Sequence, residues 1–219
     1  MDARKEELIN RYLDEILEVN KHINLTRIDE SHEAKMLHLE DSLSGLPELD
    51  AAPEGRYADL GSGGGFPGVP LGIASGRETL LVDSVKKKMA AVHSVLVDMG
   101  LDSMIRTYDG RIEELAISHA RQFSVVSARA LSKLSVLLEL AAPLLKKSGR
   151  LLCYKAQLTD EELEHALSLQ NYLGMKLVSD RKFYLNDGET LRRILAFEKV
   201  KEPGLKLPRR IGLAQKKPL

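Results

Sequence analysis

The sequence predicts an α/β fold, a mostly parallel, doubly wound sheet preceded by a helical N-terminal extension. Three observations predict it. From Arg56 onward, short apolar runs alternate with helix-length segments, the spacing of βαβ units. The first run, Tyr57-Ala58-Asp59-Leu60, ends at the glycine-rich stretch Gly61-Ser62-Gly63-Gly64-Gly65. Near the end, Asn186-Asp187-Gly188-Glu189 separates the last two runs as a turn, which makes a closing antiparallel hairpin.

The elements follow in order. A helix is expected over 2–20, because Leu8, Ile9, Tyr12, Leu13, Ile16 and Leu17 recur at three- and four-residue spacing. Asn20 to Arg27 reads as an irregular link, and a second helix runs over about 31–44 to a stop at Gly45 and Pro47. Strands are expected at 56–60, 79–83, 103–107, 123–127, 149–155, 175–185 and 190–199, giving a seven-stranded sheet. Helices lie between them near 67–75, 85–99, 131–145 and 159–173. The chain divides into an extension (1–50), a sheet domain (51–199) and a basic tail (200–219).

Glycines let a backbone take positive φ and lie close to a ligand. An acid at the end of the second strand, Asp83, is placed to accept from ribose hydroxyls. A nucleoside-containing cofactor is therefore expected at the carboxyl edge of the sheet. The dinucleotide pattern G-x-G-x-x-G can be laid on Gly63, Gly65 and Gly68, but it begins past the turn. The register Asp59, Gly61, Gly63, Gly65 fits better, and class I S-adenosylmethionine-dependent methyltransferases carry that pattern. Pro67 at a first helical position removes an amide donor that a pyrophosphate would use. A dinucleotide oxidoreductase is the alternative from another class.

Composition narrows the setting. The charged start Met1 to Glu7 has no signal-peptide core, and no apolar run approaches the ~20 residues of a membrane span. The expectation is a cytoplasmic protein. Cys153 is the only cysteine, so no internal disulfide or cysteine-rich metal site can form. Net charge is zero, which argues against a bulk nucleic-acid footprint. The charge is unevenly spread, however. Residues 1–50 hold 13 acids and 6 bases, whereas 199–219 hold 7 bases and 1 acid. Those bases are Lys199, Lys201, Lys206, Arg209, Arg210, Lys216 and Lys217, with Leu205, Leu207 and Ile211 as apolar residues able to dock the tail. They read as a local phosphate-binding strip or as a solvated terminus.

Further segments point to one family. They are Asn24-Leu25-Thr26, His38-x-x-Asp41-Ser42, Gly65-Phe66-Pro67-Gly68, Val82-Asp83-Ser84, Gly110-Arg111-Ile112-Glu113 and Ala128-Arg129-Ala130. With Leu207-Pro208-Arg209-Arg210 and Lys216-Lys217-Pro218-Leu219 they form an ordered set from about residue 20 to the end. The set resembles the RsmG (GidB) family. Two places depart from it. Gly212-Leu213-Ala214 stands where the family has Gly-x-Pro, and Lys155-Ala156 where it has Lys-Gly.

The resemblance implies a Rossmann-like class I methyltransferase that methylates N7 of a guanine in small-subunit (16S) ribosomal RNA, within a ribosomal small-subunit particle. A class I methyltransferase acting on a protein or small molecule is the alternative within the fold. The resemblance implies that Gly61 and Phe66 line S-adenosylmethionine from the first loop, Ile112 and Glu113 flank the adenine, and Arg129 closes the site. Asp59, Gly63 and Asp83 join this cofactor set. Phe66 equally suits helix packing, and Glu113 also reads as an exposed helix-start acid. Arg129 at a strand tip suits the methionine carboxylate or a phosphate. His38 and Asp41, at i and i+3, share a helix face and either position the guanine or pair structurally. Arg209, Arg210, Lys216 and Lys217 are the expected RNA contacts, away from the adenosine pocket. Guanine N7 has a lone pair and no proton, so its attack on a sulfonium methyl needs no general base.

Overall fold

The computed structural model describes residues 1–23 and 32–219. Asn24-Leu25-Thr26 and the first residue of the expected second helix lie outside the described residues. The chain forms a seven-stranded sheet in the order β3-β2-β1-β4-β5-β7-β6. The strands are β1 (Tyr57–Leu60), β2 (Thr79–Val82), β3 (Ile105–Tyr108), β4 (Phe123–Arg129), β5 (Leu145–Lys155), β6 (Met175–Tyr184) and β7 (Leu191–Lys199). Strands β1 to β5 pair in parallel, and β7 runs antiparallel to both β5 and β6. The central strands β1 and β2 are buried at every residue, as strands covered on both faces must be. Strand β6 instead alternates buried or half-buried with exposed residues, the pattern of an edge strand with one wet face.

The helices are α1 (Ala3–Ile23), α2 (His32–Leu43), α3 (Leu46–Asp50), α4 (Gly68–Ser75), α5 (Lys86–Asp98), α6 (Ile112–Ser118), α7 (Leu134–Ala141), α8 (Asp160–Leu173) and α9 (Leu213–Lys216). Three of them, α3, α6 and α9, were not expected. The Gly45-Pro47 signal ends α2 at Leu43 as expected, but a short helix follows it at once, with Pro47 in the first turn of α3, where its missing N–H costs nothing. Helix α6 starts with Glu114 folded back on its N-cap: the Arg111 N–H donates to Glu114 Oε2 at 3.0 Å. At seven and four residues, α6 and α9 are too short to show a helical period. Strand β5 begins four residues earlier than its apolar core suggests, with Ser148 at φ +64° kinking it before Gly149.

The extension shares a core with the sheet. Ile9, Tyr12, Leu13 and Ile16 of α1 are buried with Val69, Ile73, Met89 and Val92 of α4 and α5. Each such side chain contributes about 1.5–3 kcal/mol by leaving water, so α1 is bound to the fold by its apolar stripe. The tail also docks. Leu205, Leu207 and Leu219 pack on the core beneath α7 and α8, while Ile211 stays exposed. Among the described residues no helix is long and apolar enough to cross a membrane.

Candidate active site

The register aligns the carboxyl ends of the central strands: Leu60 pairs with Val82 on one side and with Ala128 on the other. The chain leaves β1, β2 and β4 at one edge, where open α/β sheets bind ligands. The first loop is folded back over that edge. The Gly61 and Ser62 N–H groups donate to the Val82 carbonyl at 2.7 and 3.1 Å. Gly61, Gly63 and Gly65 have φ of +71°, +54° and +87°, the left-handed region that favours glycine. A Cβ on Gly61 would stand 2.7 Å from Leu131, and one on Gly65 would stand 2.2 Å from the Tyr12 hydroxyl. That hydroxyl donates to the Gly64 carbonyl at 2.9 Å, so α1 holds the loop from beneath.

Asp83 fixes the loop from the side. Its Oδ2 accepts from the Gly63 N–H at 3.0 Å and its Oδ1 from the Val85 N–H at 2.8 Å. The carboxylate is half-buried and lines a pocket of about 110 Å³ with Gly61, Ile112 and Glu113. Each carboxylate oxygen keeps acceptor capacity beyond one hydrogen bond. Glycine backbone, the Ile112 side chain and an acid at the second strand end together fit the adenosine half of S-adenosylmethionine. A larger groove of about 1,020 Å³ lies between α1, α2 and the β6–β7 hairpin and is lined by none of the loop glycines. Size alone does not mark the site.

Asp59 and Phe66, two expected cofactor residues, do not line this pocket. Asp59 is fully buried beneath the loop. Its Oδ2 accepts from the Gly68 N–H at 3.1 Å and its Oδ1 from the Ser127 hydroxyl at 2.5 Å, joining β1 to β4 and to the start of α4. Burial pushes its carboxyl up to about 7, against the lowering effect of Ser127, Arg129 and Gly68. Phe66 is also buried. Its ring lies 5.6 Å from Tyr12 and edge-on to His38 at 4.5 Å, between α1 and α2. Glu113 borders the pocket, but its Oε1 accepts from the Gly212 N–H of the tail at 2.7 Å.

On the other side of the loop, three expected residues meet. Arg129, at the tip of β4, donates from Nη1 to Asp41 Oδ2 at 2.9 Å and to Ser42 Oγ at 3.3 Å. Its Nη2 stands 3.0 Å from His38 Nε2. A guanidinium only donates, so Nε2 is the acceptor and His38 is neutral with its proton on Nδ1. Burial, reinforced by the Arg129 charge, pushes the His38 imidazolium down to about 3. A fourth member went unforeseen: Arg192 donates from Nε to Asp41 Oδ1 at 2.9 Å. Arg192 lies 151 residues from Asp41, and an arginine in a hairpin strand gives no local signal. Asp41 is thus held between two cations, and the cluster keeps one surplus positive charge beside the loop.

The tail bases divide. Lys199 is buried, with Nζ donating to the Leu145 carbonyl at 3.1 Å and pairing with Glu202 at 3.3 Å. Arg209 forms a two-point ion pair with the buried Glu139 of α7, at 2.7 and 2.6 Å, and so anchors the tail. Arg210, Lys216 and Lys217 are exposed. Among the described residues, no cluster of three or more histidine, cysteine, aspartate or glutamate side chains is placed to hold a metal ion.

Comparison with known proteins places this edge in a family. The family described as GidB, rRNA small subunit methyltransferase G, matches residues 5–186. The chain belongs to this family. Relatives called ribosomal RNA small subunit methyltransferase G from Streptococcus pyogenes serotype M1 and Lactobacillus helveticus are each 34% identical. Those matches cover all of this chain and 93% and 92% of theirs. Membership makes the chain an S-adenosylmethionine-dependent methyltransferase. Solved structures show the same class I methyltransferase fold. An O-methyltransferase from Bacillus cereus in complex with S-adenosylhomocysteine superposes with a TM-score of 0.61 at 15% identity, over 86% of this chain and 91% of that one. A geranyl diphosphate methyltransferase in complex with geranyl diphosphate and sinefungin gives 0.63 at 13%, over 90% and 100%. The mostly parallel sheet with its terminal antiparallel hairpin is therefore the arrangement expected from the sequence.

Proposed function

We propose that this chain methylates N7 of a guanine in small-subunit (16S) ribosomal RNA, acting in the cytoplasm on a ribosomal small-subunit particle. The family match, over most of the chain and with full-length relatives, carries this reading. S-adenosylmethionine supplies an activated methyl on a sulfonium sulfur. The chain's residues bind and align. Gly61 and Gly63 bring backbone close to the adenosine, and Asp83 accepts from the ribose hydroxyls. Ile112 covers the base, and Arg129 offers its remaining donor capacity at the strand tip. His38, Asp41 and Arg192 hold that guanidinium in place and border the entry of the target base. Rate enhancement then rests on holding N7, methyl and sulfur in line.

The chemistry of the edge supports N7 over a protonated acceptor. The basic groups nearest the tip of β4 are already engaged. His38 Nε2 accepts from Arg129, Asp41 is held by two arginines, and Asp59 is sealed from solvent. An N7 acceptor needs no base, because it carries no proton. Exposed Arg210, Lys216 and Lys217 suit phosphate contacts that position RNA without reading sequence. The test is transfer of labelled methyl to small-subunit particles from a strain lacking this gene. Label should appear in ribosomal RNA as 7-methylguanosine, read by borohydride and aniline strand scission. Label in protein, or in RNA without scission, would refute the assignment.

A further inference from the structure

The small size of the adenosine pocket has a cause in the chain's last residues. Gly212 and Gln215 belong to the lining of the same pocket as Gly61, Asp83 and Ile112, although they follow β7 by more than ten residues. Three contacts set the tail there. Arg209 grips Glu139 through both carboxylate oxygens at 2.6–2.7 Å and donates to the Lys217 carbonyl at 2.9 Å. The Gly212 N–H donates to Glu113 Oε1 at 2.7 Å. Ala214 is buried against Val136 and Leu140 of α7, with Ile112 beside them. These link the tail to α6 and α7, the two helices that flank the pocket.

The pocket is partly open and holds about 110 Å³, below the ~300–1,000 Å³ of ordinary small-molecule sites. Burying an adenosine fully there requires one wall to give. The tail wall rests on a four-residue helix entered through Gly212 at φ +74°. It is held by the Gly212 N–H bond to Glu113, the Arg209 bond to the Lys217 carbonyl and the buried Ala214, whereas the other walls are the ends of β1 and β2 and residues of α6 and α7 that belong to the sheet domain. A side-chain amide presents a donor and an acceptor together. That pair matches the 6-amino donor and ring-nitrogen acceptor on an adenine edge, as it does in amide–adenine pairs elsewhere.

We propose that the C-terminal tail is a movable wall of the adenosine site, with Gln215 as an adenine-edge ligand and the Glu139–Arg209 pair as its anchor. The proposal rests on the assignment of this pocket to S-adenosylmethionine. It makes the segment that carries Arg210, Lys216 and Lys217 part of the cofactor site as well, so cofactor and RNA binding share one element.

The test uses the full-length protein and S-adenosylhomocysteine. Gln215 is exposed, so Gln215→Ala should leave the melting temperature of the free protein unchanged. Its affinity for S-adenosylhomocysteine by calorimetry should fall about 5- to 160-fold, the range of a two-point amide–adenine pair. In wild type, S-adenosylhomocysteine should slow amide hydrogen exchange at residues 212–217. Unchanged affinity in Gln215→Ala overturns the ligand role, and unchanged exchange overturns the wall. A wild-type protein that does not bind S-adenosylhomocysteine overturns the cofactor assignment itself, and this proposal with it.

Discussion

Asp59 and Asp83 end adjacent parallel strands, and burial gives them different work. Asp83 is half-exposed, fixes the Gly63 and Val85 amides, and faces the pocket. Hydrogen bonds to a charged group contribute about 1.5–3 kcal/mol. Asp83→Ala should weaken S-adenosylhomocysteine binding roughly 10- to 100-fold by calorimetry, and wild-type affinity in the folded variant would remove Asp83 from the site. Asp59 acts on stability. Its carboxyl is raised from 3.8 to about 7 in the folded state, so the native protein holds a proton that the unfolded chain releases. Its contribution is full below about pH 4 and is lost as pH rises through about 7. His38, lowered to about 3, has the opposite sign and loses stability as pH falls below about 6.5. Urea unfolding at pH 5, 6, 7 and 8 of wild type and Asp59→Asn separates them, since His38 is common to both. The difference between the two curves should change by on the order of 1 kcal/mol per pH unit between pH 5 and 7. A constant difference would mean that Asp59 does not titrate in this window.

At the scale of elements, the strand-to-helix loop is the part most legible beforehand. Its glycines and its flanking acid are near in sequence, and their φ values are local, although the hydrogen bonds that fix the loop reach Asp83 over 20 residues, Tyr12 over 52 and Ser127 over 68. Gly63 sits at φ +54° with its N–H on Asp83. A β-branched residue there is forced into the left-handed region at about 1–3 kcal/mol of strain. Gly63→Val should lose S-adenosylhomocysteine binding while its far-ultraviolet circular dichroism stays that of wild type. Retained affinity would mean that the loop tolerates a Cβ and is not the cofactor cradle. Helix α6 was missed for an equally physical reason. Seven residues span fewer than two turns, and its identity rests on a cap and on packing rather than on periodicity.

For the whole molecule, the sites are assembled by contacts across long separations. Arg129 reaches Asp41 over 88 residues and Arg209 reaches Glu139 over 70. These pairings reassign residues that composition had grouped together. The seven bases of residues 199–219 read as a phosphate-binding strip or a solvated terminus, with Arg209, Arg210, Lys216 and Lys217 as the expected RNA contacts, but Lys199 and Arg209 are committed to the fold. Replacing only Arg210, Lys216 and Lys217 by Gln should therefore weaken RNA binding and flatten its salt dependence by about 0.7–0.9 log units per lost contact. Measurement over a potassium chloride series checks this, and an unchanged slope would leave the three as solvated charges. The tail is not separate from the glycine loop, since Gly212 and Gln215 line the same pocket as Gly61 and Asp83. The same charge variant should be titrated with S-adenosylhomocysteine in parallel.

By itself the sequence determined the alternating α/β order, the glycine loop with its positive φ, the cofactor class and the family. Each of these is written in neighbouring residues, through backbone sterics, hydrophobic period and short motifs. Only the tertiary structure decided which acids and bases are available for binding. It sealed Asp59 beneath the loop and turned Phe66 toward α1 and α2. It clamped Asp41 between Arg129 and Arg192, and it folded the tail onto the pocket. The physical reason is that a charged or aromatic side chain has no fixed role until burial and partners are set, and those are properties of the packed chain rather than of any short stretch of it.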